Sequence, residues 1–229
     1  RATTAATAAR RSAACRRAPG AVTTPPRSRW LRNFHPAPDA RVRLVCLPHA
    51  GGSASYYFPM STALSPEFEV YGVQYPGRQD RYAEPFVDSI DALADQVFTE
   101  IGTLPEKPTA FFGHSMGGLL AFEVARRFQE AGRPIAALFV SAVAAPGLVG
   151  YDDIPDTDEG LLAAVSTITG ADPEFMKNPE FAAAILPTLR GLKSIADYRC
   201  PPDTKLSSPI HAYYGDDDEI ATADKVMPW

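Results

Sequence analysis

The sequence predicts an α/β fold, a mainly parallel sheet flanked by helices. Three observations point there. From residue 42 onward, short apolar runs alternate with stretches of helical periodicity. Several of the runs end in turns that carry Gly or Pro. Gly113-His114-Ser115-Met116-Gly117 joins one such run directly to a long helical pattern. Alternating strands and helices imply right-handed crossovers and a sheet covered on both faces. No internal repeat is visible.

The first 30 residues hold seven arginines and no acidic residue, and they show no usable periodicity. They read as a disordered leader or a non-native extension. Arg- and Ser-containing leaders without acids also serve as organelle transit peptides, but no apolar core of about 7–15 residues follows to make a secretory signal. The chain opens without Met, which reads as a fragment or an extended translation. Residues 31–229 read as one domain. Val42-Arg43-Leu44-Val45-Cys46-Leu47 is a strong strand, running into Pro48-His49-Ala50-Gly51-Gly52-Ser53 and then a helix-like stretch to about Leu64. Phe68 to Gln74 is a second strand, ending in Tyr75-Pro76-Gly77-Arg78. Residues 89–103 form a helix with Ser89 as N-cap and Ile90, Leu93, Val97 and Ile101 on one face. Thr109 to Phe112, set off by Pro105 and Pro108, is a buried strand leading to Ser115. The helix after it is stopped by Gly132 and Pro134. Ala136 to Ala142 and Pro209 to Tyr214 are further strands, the latter followed by Gly215-Asp216-Asp217-Asp218.

Between them, residues from about 146 to 207 break the alternation. Asp156 can cap a helix with Glu159 three residues on, and Asn178-Pro179 opens a second helix that Pro187 should kink. A helical insertion between core strands predicts a lid over an active site.

Composition bounds the function. Apolar content of 45% and charged content of 21% describe a globular chain with a sizeable core. No apolar stretch approaches the roughly 20 residues of a membrane helix. Cys15, Cys46 and Cys200 show no paired spacing and no metal-like cluster, which fits a reducing, cytoplasmic setting. The net charge is −5, but beyond the first 30 residues there are 15 basic and 27 acidic groups. A domain that acidic is a poor nucleic-acid binder.

The G-x-S-x-G pattern is weak alone, but a strand before it and a helix after it make the context of a nucleophile elbow with Ser115 as nucleophile. Small flanking residues are needed there, because side chains would strike the strand or the helix. A serine hydroxyl needs a base to take its proton and donors to hold the oxyanion. The N–H of Met116, at a helix N-terminus, is one donor. The second is expected from the loop after the first long strand, with Ala50 N–H the best candidate. Asp218, at the C-terminal end of a strand, is the favoured acid, with Asp216 or Asp217 as alternatives. The base is not evident. His35, His49, His114 and His211 all precede Asp218, and each is read as structural. Only 11 residues follow Asp218, too few for a final helix.

With these pieces together, the chain resembles type II thioesterases of polyketide and nonribosomal peptide synthesis, within the α/β-hydrolase fold. The resemblance spans about residues 30–229. It rests on Leu47-Pro48-His49-Ala50-Gly51-Gly52, Tyr75-Pro76-Gly77-Arg78, Phe112-Gly113-His114-Ser115-Met116-Gly117-Gly118 with Ala121-Phe122-Glu123, and Gly215-Asp216-Asp217-Asp218. It implies Ser115 as nucleophile, Ala50 and Met116 as oxyanion amides, Asp218 as acid, and a lid at about 146–207. Similar enzymes carry their histidine about 25–30 residues after the acid and then end in a helix. On that comparison the C-terminal strand and helix are missing, a truncated chain is expected, and activity near background is expected.

The resemblance also implies hydrolysis of acyl thioesters from the phosphopantetheine arm of an acyl or peptidyl carrier protein, with no cofactor of the enzyme's own. Phe175, Met176 and Phe181 are candidates to line an acyl channel. The acidic surface argues for docking through an apolar patch near the lid, and a monomer is expected. The alternatives are a general carboxylesterase or lipase on the same fold, and an inert remnant that binds acyl groups or carrier proteins.

Overall fold

A computed structural model describes residues 28–148, 155, 157–169, 172, 176–201 and 203–229. Strands β1 (Leu31–Arg32), β2 (Val42–Leu47), β3 (Phe68–Val73), β4 (Thr109–His114), β5 (Ala137–Ser141) and β6 (Ile210–Tyr213) form one sheet in the order β1-β3-β2-β4-β5-β6. All neighbours are parallel except β1, which runs antiparallel to β3. The central strand β2 is an apolar run because both its faces are covered: Val45, Cys46 and Leu47 are fully buried.

One face of the sheet carries the 3₁₀ turn Ala54–Tyr57 and helix α1 (Phe58–Leu64), with Tyr57, Cys46 and Val70 in a small core. The other carries α2 (Ile90–Gly102) and α3 (Met116–Glu130) around Phe111, Leu119, Leu120 and Leu138. The Ser89 hydroxyl accepts from Ala92 N–H and caps α2, whose buried side includes the four expected residues. Helix α3 ends as the Gly132 signal predicts. Gly132 has φ +72°, Arg133 N–H bonds Phe128 C=O at 2.8 Å, and Gly132 N–H bonds Gln129 C=O at 3.0 Å, a Schellman motif.

The insertion holds α4 (Asp158–Thr169) and α5 (Pro179–Ala196), which pack on each other. Asn178 caps α5 as expected, its Oδ1 accepting from Glu180 and Phe181 N–H at 2.9 and 3.1 Å. Helix α5 continues as one element through position 187. Asp156 lies outside the described residues; at the start of α4 the Thr157 Oγ1 accepts from Gly160 N–H at 3.1 Å.

The far end of α5 is tied into the body of the fold. Ile195 and Tyr198 join the main core, and the Tyr198 hydroxyl donates to Glu123 Oε1 at 2.7 Å. Glu123 is wholly buried on α3 and also accepts from Arg126 and Arg127.

Three departures from the sequence expectation are visible. Strand β1 is two residues long, too short to leave a periodic signal, yet Trp30 beside it is buried under Arg81 with the guanidinium 4.2 Å from the ring. Strand β4 runs two residues further than expected, through Gly113 and His114, because β5 continues to pair with it as far as Ser141. A short helix, α6 (Ala223–Val226), does fit after Asp218, although no helix was expected there. Four residues suffice because Trp229 behind it is anchored, its indole N–H donating to Val143 C=O at 2.9 Å and its ring packed on Phe122.

Candidate active site

Ser115 sits where β4 turns into α3, with φ +53° and ψ −124°. That backbone conformation is strained for a residue with a Cβ, and strain of this kind persists only where its surroundings enforce it. Here they do. Ser115 N–H donates to Ser141 C=O at 2.8 Å, and Ser115 C=O accepts from Gly118 N–H at 2.8 Å. The flanking glycines are sterically required. A Cβ at Gly113 would lie 2.1 Å from Gly117 O, and one at Gly117 would lie 2.0 Å from Leu47 O. The second contact also shows that the start of α3 presses directly against the end of β2. The elbow and the Pro48–Gly52 loop are therefore neighbours.

In that loop Ala50 is buried. Among the described residues neither Ala50 N–H nor Met116 N–H has a hydrogen-bond partner. Met116 is the first residue of α3, so its N–H is one of the donors a helix start leaves free. Four successive carbonyls, from the end of β2 into this loop, are engaged. Leu47 O accepts from Tyr57 OH at 2.8 Å, Pro48 O from Tyr75 OH at 3.0 Å, His49 O from Gly52 N–H at 2.9 Å, and Ala50 O from the Arg78 guanidinium.

Asp218 is half-buried, whereas Asp216 and Asp217 are exposed. Its Oδ1 accepts from Ile220 and Ala221 N–H at 2.9 and 2.8 Å, which orients the carboxylate at the end of β6. Its charge is felt by His114. His114 meets Ser141 Oγ through Nδ1 at 3.2 Å, and its ring lies edge-on to His49 at 5.8 Å. Burial lowers the pKa of His114, with Asp218 opposing; burial, then His114 and Arg78, lower that of His49. Both imidazoles are held toward the neutral form.

His35 contacts Ser61 Oγ at 3.0 Å, and His211 stacks on Phe139 on the exposed edge strand. Among the described residues the Ser115 hydroxyl bonds to no histidine.

Helix α5 reaches this site. A Cβ at Gly51 would come within 2.7 Å of Thr188 Cγ2, and one at Gly191 within 3.4 Å of Ala50 Cβ, so α5 lies across the loop. Of the acyl-channel candidates, Met176 is buried, Phe181 is half-buried, and Phe175 lies outside the described residues. Among the described residues no group of side chains is arranged to hold a metal ion, and no helix is long and apolar enough to cross a membrane.

The thioesterase-domain family matches residues 42–229. The chain belongs to the thioesterase family. This thioesterase is 49% identical over 189 residues to thioesterase TesA of Mycobacterium leprae, covering 81% of this chain and 72% of that protein. It is 43% identical over 206 residues to thioesterase PikA5 of Streptomyces venezuelae, covering 87% and 73%. Among solved structures, the type II thioesterase BorB from the borrelidin biosynthetic cluster matches with a TM-score of 0.74 at 45% identity, covering 87% of this chain and 83% of that one. YbtT, a type II thioesterase from the yersiniabactin pathway, matches with a TM-score of 0.74 at 28% identity, covering 87% and 84%. The thioesterase is thus of type II and has the α/β-hydrolase fold.

Two groups near the site were not foreseen. The Tyr57 hydroxyl and the Arg78 guanidinium hold the Leu47 and Ala50 carbonyls, and Arg78 belongs to the Tyr75-Pro76-Gly77-Arg78 motif. Its position in that motif was the available signal. Its contact with a loop 28 residues earlier was not visible in the sequence.

Proposed function

We propose that this thioesterase hydrolyses acyl thioesters carried on the phosphopantetheine arm of acyl or peptidyl carrier proteins in polyketide and nonribosomal peptide synthesis. The observation that carries the proposal is Ser115 on its strained elbow, beside two free N–H groups at Ala50 and Met116. In this scheme Ser115 Oγ attacks the thioester carbonyl carbon. Its proton passes to a histidine, and the Ala50 and Met116 amides hold the oxyanion. The C–S bond then breaks, the phosphopantetheine thiolate leaves, and an acyl-serine remains. Water adds to the acyl-serine, releasing the carboxylic acid and restoring the serine. A thiolate needs little protonation to leave, so the demand on a general acid is small.

Asp218 is the carboxylate that orients the histidine, supported by its half-buried position and its fixed Oδ1. The acyl chain lies beneath the lid near Met176 and Phe181, where α4 and α5 supply apolar surface. Cytoplasmic residence accords with the free thiols of Cys46 and Cys200.

The test is turnover of an acyl-carrier thioester against its matched oxyester. We expect preference for the thioester and loss of turnover in Ser115→Ala; a preference for the oxyester would favour a general esterase. Because none of the four histidines bonds to Ser115, we expect a polypeptide of these 229 residues to turn over slowly, at the level binding and oxyanion donors alone support. Brisk turnover that both Ser115→Ala and His114→Ala abolish would assign the base to His114.

A further inference from the structure

We propose that Arg78 is a positioning residue for the oxyanion site: its guanidinium holds the Ala50 carbonyl and thereby fixes the loop that presents Ala50 N–H to the reacting carbonyl. The proposal rests on the assignment of Ala50 as an oxyanion donor.

The loop has a structural problem that Arg78 solves. Two of its residues must be small. A Cβ at Gly51 would strike Thr188 on α5, and one at Gly52 would lie 2.8 Å from His49 Cε1. Two adjacent glycines satisfy the packing but leave the backbone soft. A soft loop can rotate its peptide groups, which exchanges a carbonyl oxygen for an N–H at the substrate and turns stabilisation of an oxyanion into repulsion. The carbonyls must therefore be held from behind.

Arg78 is buried and reaches across from the β3 side of the sheet. One of its terminal nitrogens donates to Ala50 O and the other to Gly77 O at 3.2 Å, with the guanidinium 5.0 Å from the centre of the Phe86 ring. A charge-assisted bond in a dry site is stronger than a neutral one, and a planar fork can serve two carbonyls at once. A lysine at this position would supply one point charge.

Arg78 is itself held. Its carbonyl accepts from Gln74 Nε2 at 3.0 Å, and Gln74 Oε1 accepts from Ala54 N–H at 3.0 Å, beyond the far end of the same loop. Tyr75 OH on Pro48 O is the neighbouring clamp. Tyr75 and Arg78 thus give the Tyr75-Pro76-Gly77-Arg78 motif a task, with Gly77 at φ +73° making the turn between them.

The test separates binding of an oxyanion from binding of an uncharged ground state. The probes are an alkyl boronic acid, whose adduct with Ser115 places an oxygen in the oxyanion position, and the amide isostere of the acyl-pantetheine thioester. In Arg78→Met we expect boronate affinity to fall about ten- to a hundredfold while amide affinity stays within about twofold. Arg78→Lys should recover part of the loss. If Arg78→Met does not fold, Arg78→Lys decides the question, since it should still show a loss for the boronate alone; Tyr75→Phe keeps the guanidinium and should show a smaller loss of the same kind. Equal losses for both probes, or no loss for either, would overturn the proposal.

Ala50→Pro removes the N–H itself and isolates the assumption beneath. If Ala50→Pro weakens the boronate and the Arg78 variants do not, only the Arg78 role fails. If Ala50→Pro leaves boronate binding unchanged, or Ser115→Ala does, the assignment of the site fails and the role of Arg78 with it.

Discussion

Ser115 and its glycine neighbours show how little freedom a single position has in this site. The elbow stores strain at Ser115, where φ is +53°. We expect Ser115→Ala to keep that strain and fold normally, and Ser115→Gly to be more stable than Ser115→Ala by about 1 kcal/mol in denaturant unfolding. Gly117→Ala is different in kind. Its Cβ would meet backbone oxygen at 2.0 Å, and backbone cannot swing aside as a side chain can. A loss of more than about 3 kcal/mol is expected, whereas Gly118→Ala, which would meet only the Val143 side chain at 2.6 Å, should cost less.

Glu123 makes a comparable case in electrostatics. It is wholly buried and serves Arg126, Arg127 and Tyr198 at once. Glu123→Gln should destabilise by about 1–3 kcal/mol, because the amide still accepts from Tyr198 but no longer balances two guanidiniums. The glycine pattern was legible in the sequence because steric need leaves a residue-type signature. The partnership of Glu123 was not, since Tyr198 lies 75 positions away.

At the scale of elements, helix α5 and the Pro48–Gly52 loop pack as one unit. Thr188 on α5 fills the space that a Cβ on Gly51 would need. Gly51→Ala should therefore push α5 off the loop, seen as faster amide hydrogen exchange along α5. Thr188→Ser removes the colliding Cγ2, so the double variant should recover protection. If the two effects simply add, the contact carries no coupling. At the start of the same helix, Asn178→Ala removes a cap and should cost about 1 kcal/mol.

The exposed Arg190–Asp158 pair joining α4 to α5 should contribute less than that. Periodicity and capping residues announced α5 and its first residue. That its far end is a core helix, anchored through Ile195 and Tyr198, required knowing which surface it packs against.

For the molecule as a whole, the perturbed histidines and Glu123 contribute to the response to acid. Burial, then the neighbouring His114 and Arg78, lowers the pKa of His49, and burial, partly offset by Asp218, lowers that of His114. A group with a depressed folded pKa contributes its full stability above the unfolded value and loses it as pH falls through the folded value. The histidines therefore act first, as pH drops below the ordinary imidazole value of 6.5. Burial alone would raise the Glu123 carboxyl, but bonds from Arg126, Tyr198 and Arg127 outweigh it and hold its pKa below the ordinary 4.5. Its contribution is lost only below that value. Thermal unfolding followed from pH 8 to 3 should show Tm falling in two stages. His114→Gln should flatten the first and leave the second; a single stage near pH 4 would contradict the roles given to the histidines.

Local pattern by itself determined the alternation of strands and helices, the elbow at Ser115, the loop at Ala50, the aspartate turn and the family resemblance. These are features whose physics is written over a few adjacent residues: a period of two or 3.6, a glycine where a Cβ cannot fit, a cap beside a helix start. Only the tertiary structure decided the edge strand at Leu31, the extension of β4 to His114, and the clamp of Tyr57, Tyr75 and Arg78 on the Leu47, Pro48 and Ala50 carbonyls. It also decided which aspartate of the turn is half-buried and fixed. Each of these depends on partners distant along the chain. A hydrogen bond to a carbonyl constrains where a side chain ends in space, and it leaves almost no trace in which residues stand beside it in sequence.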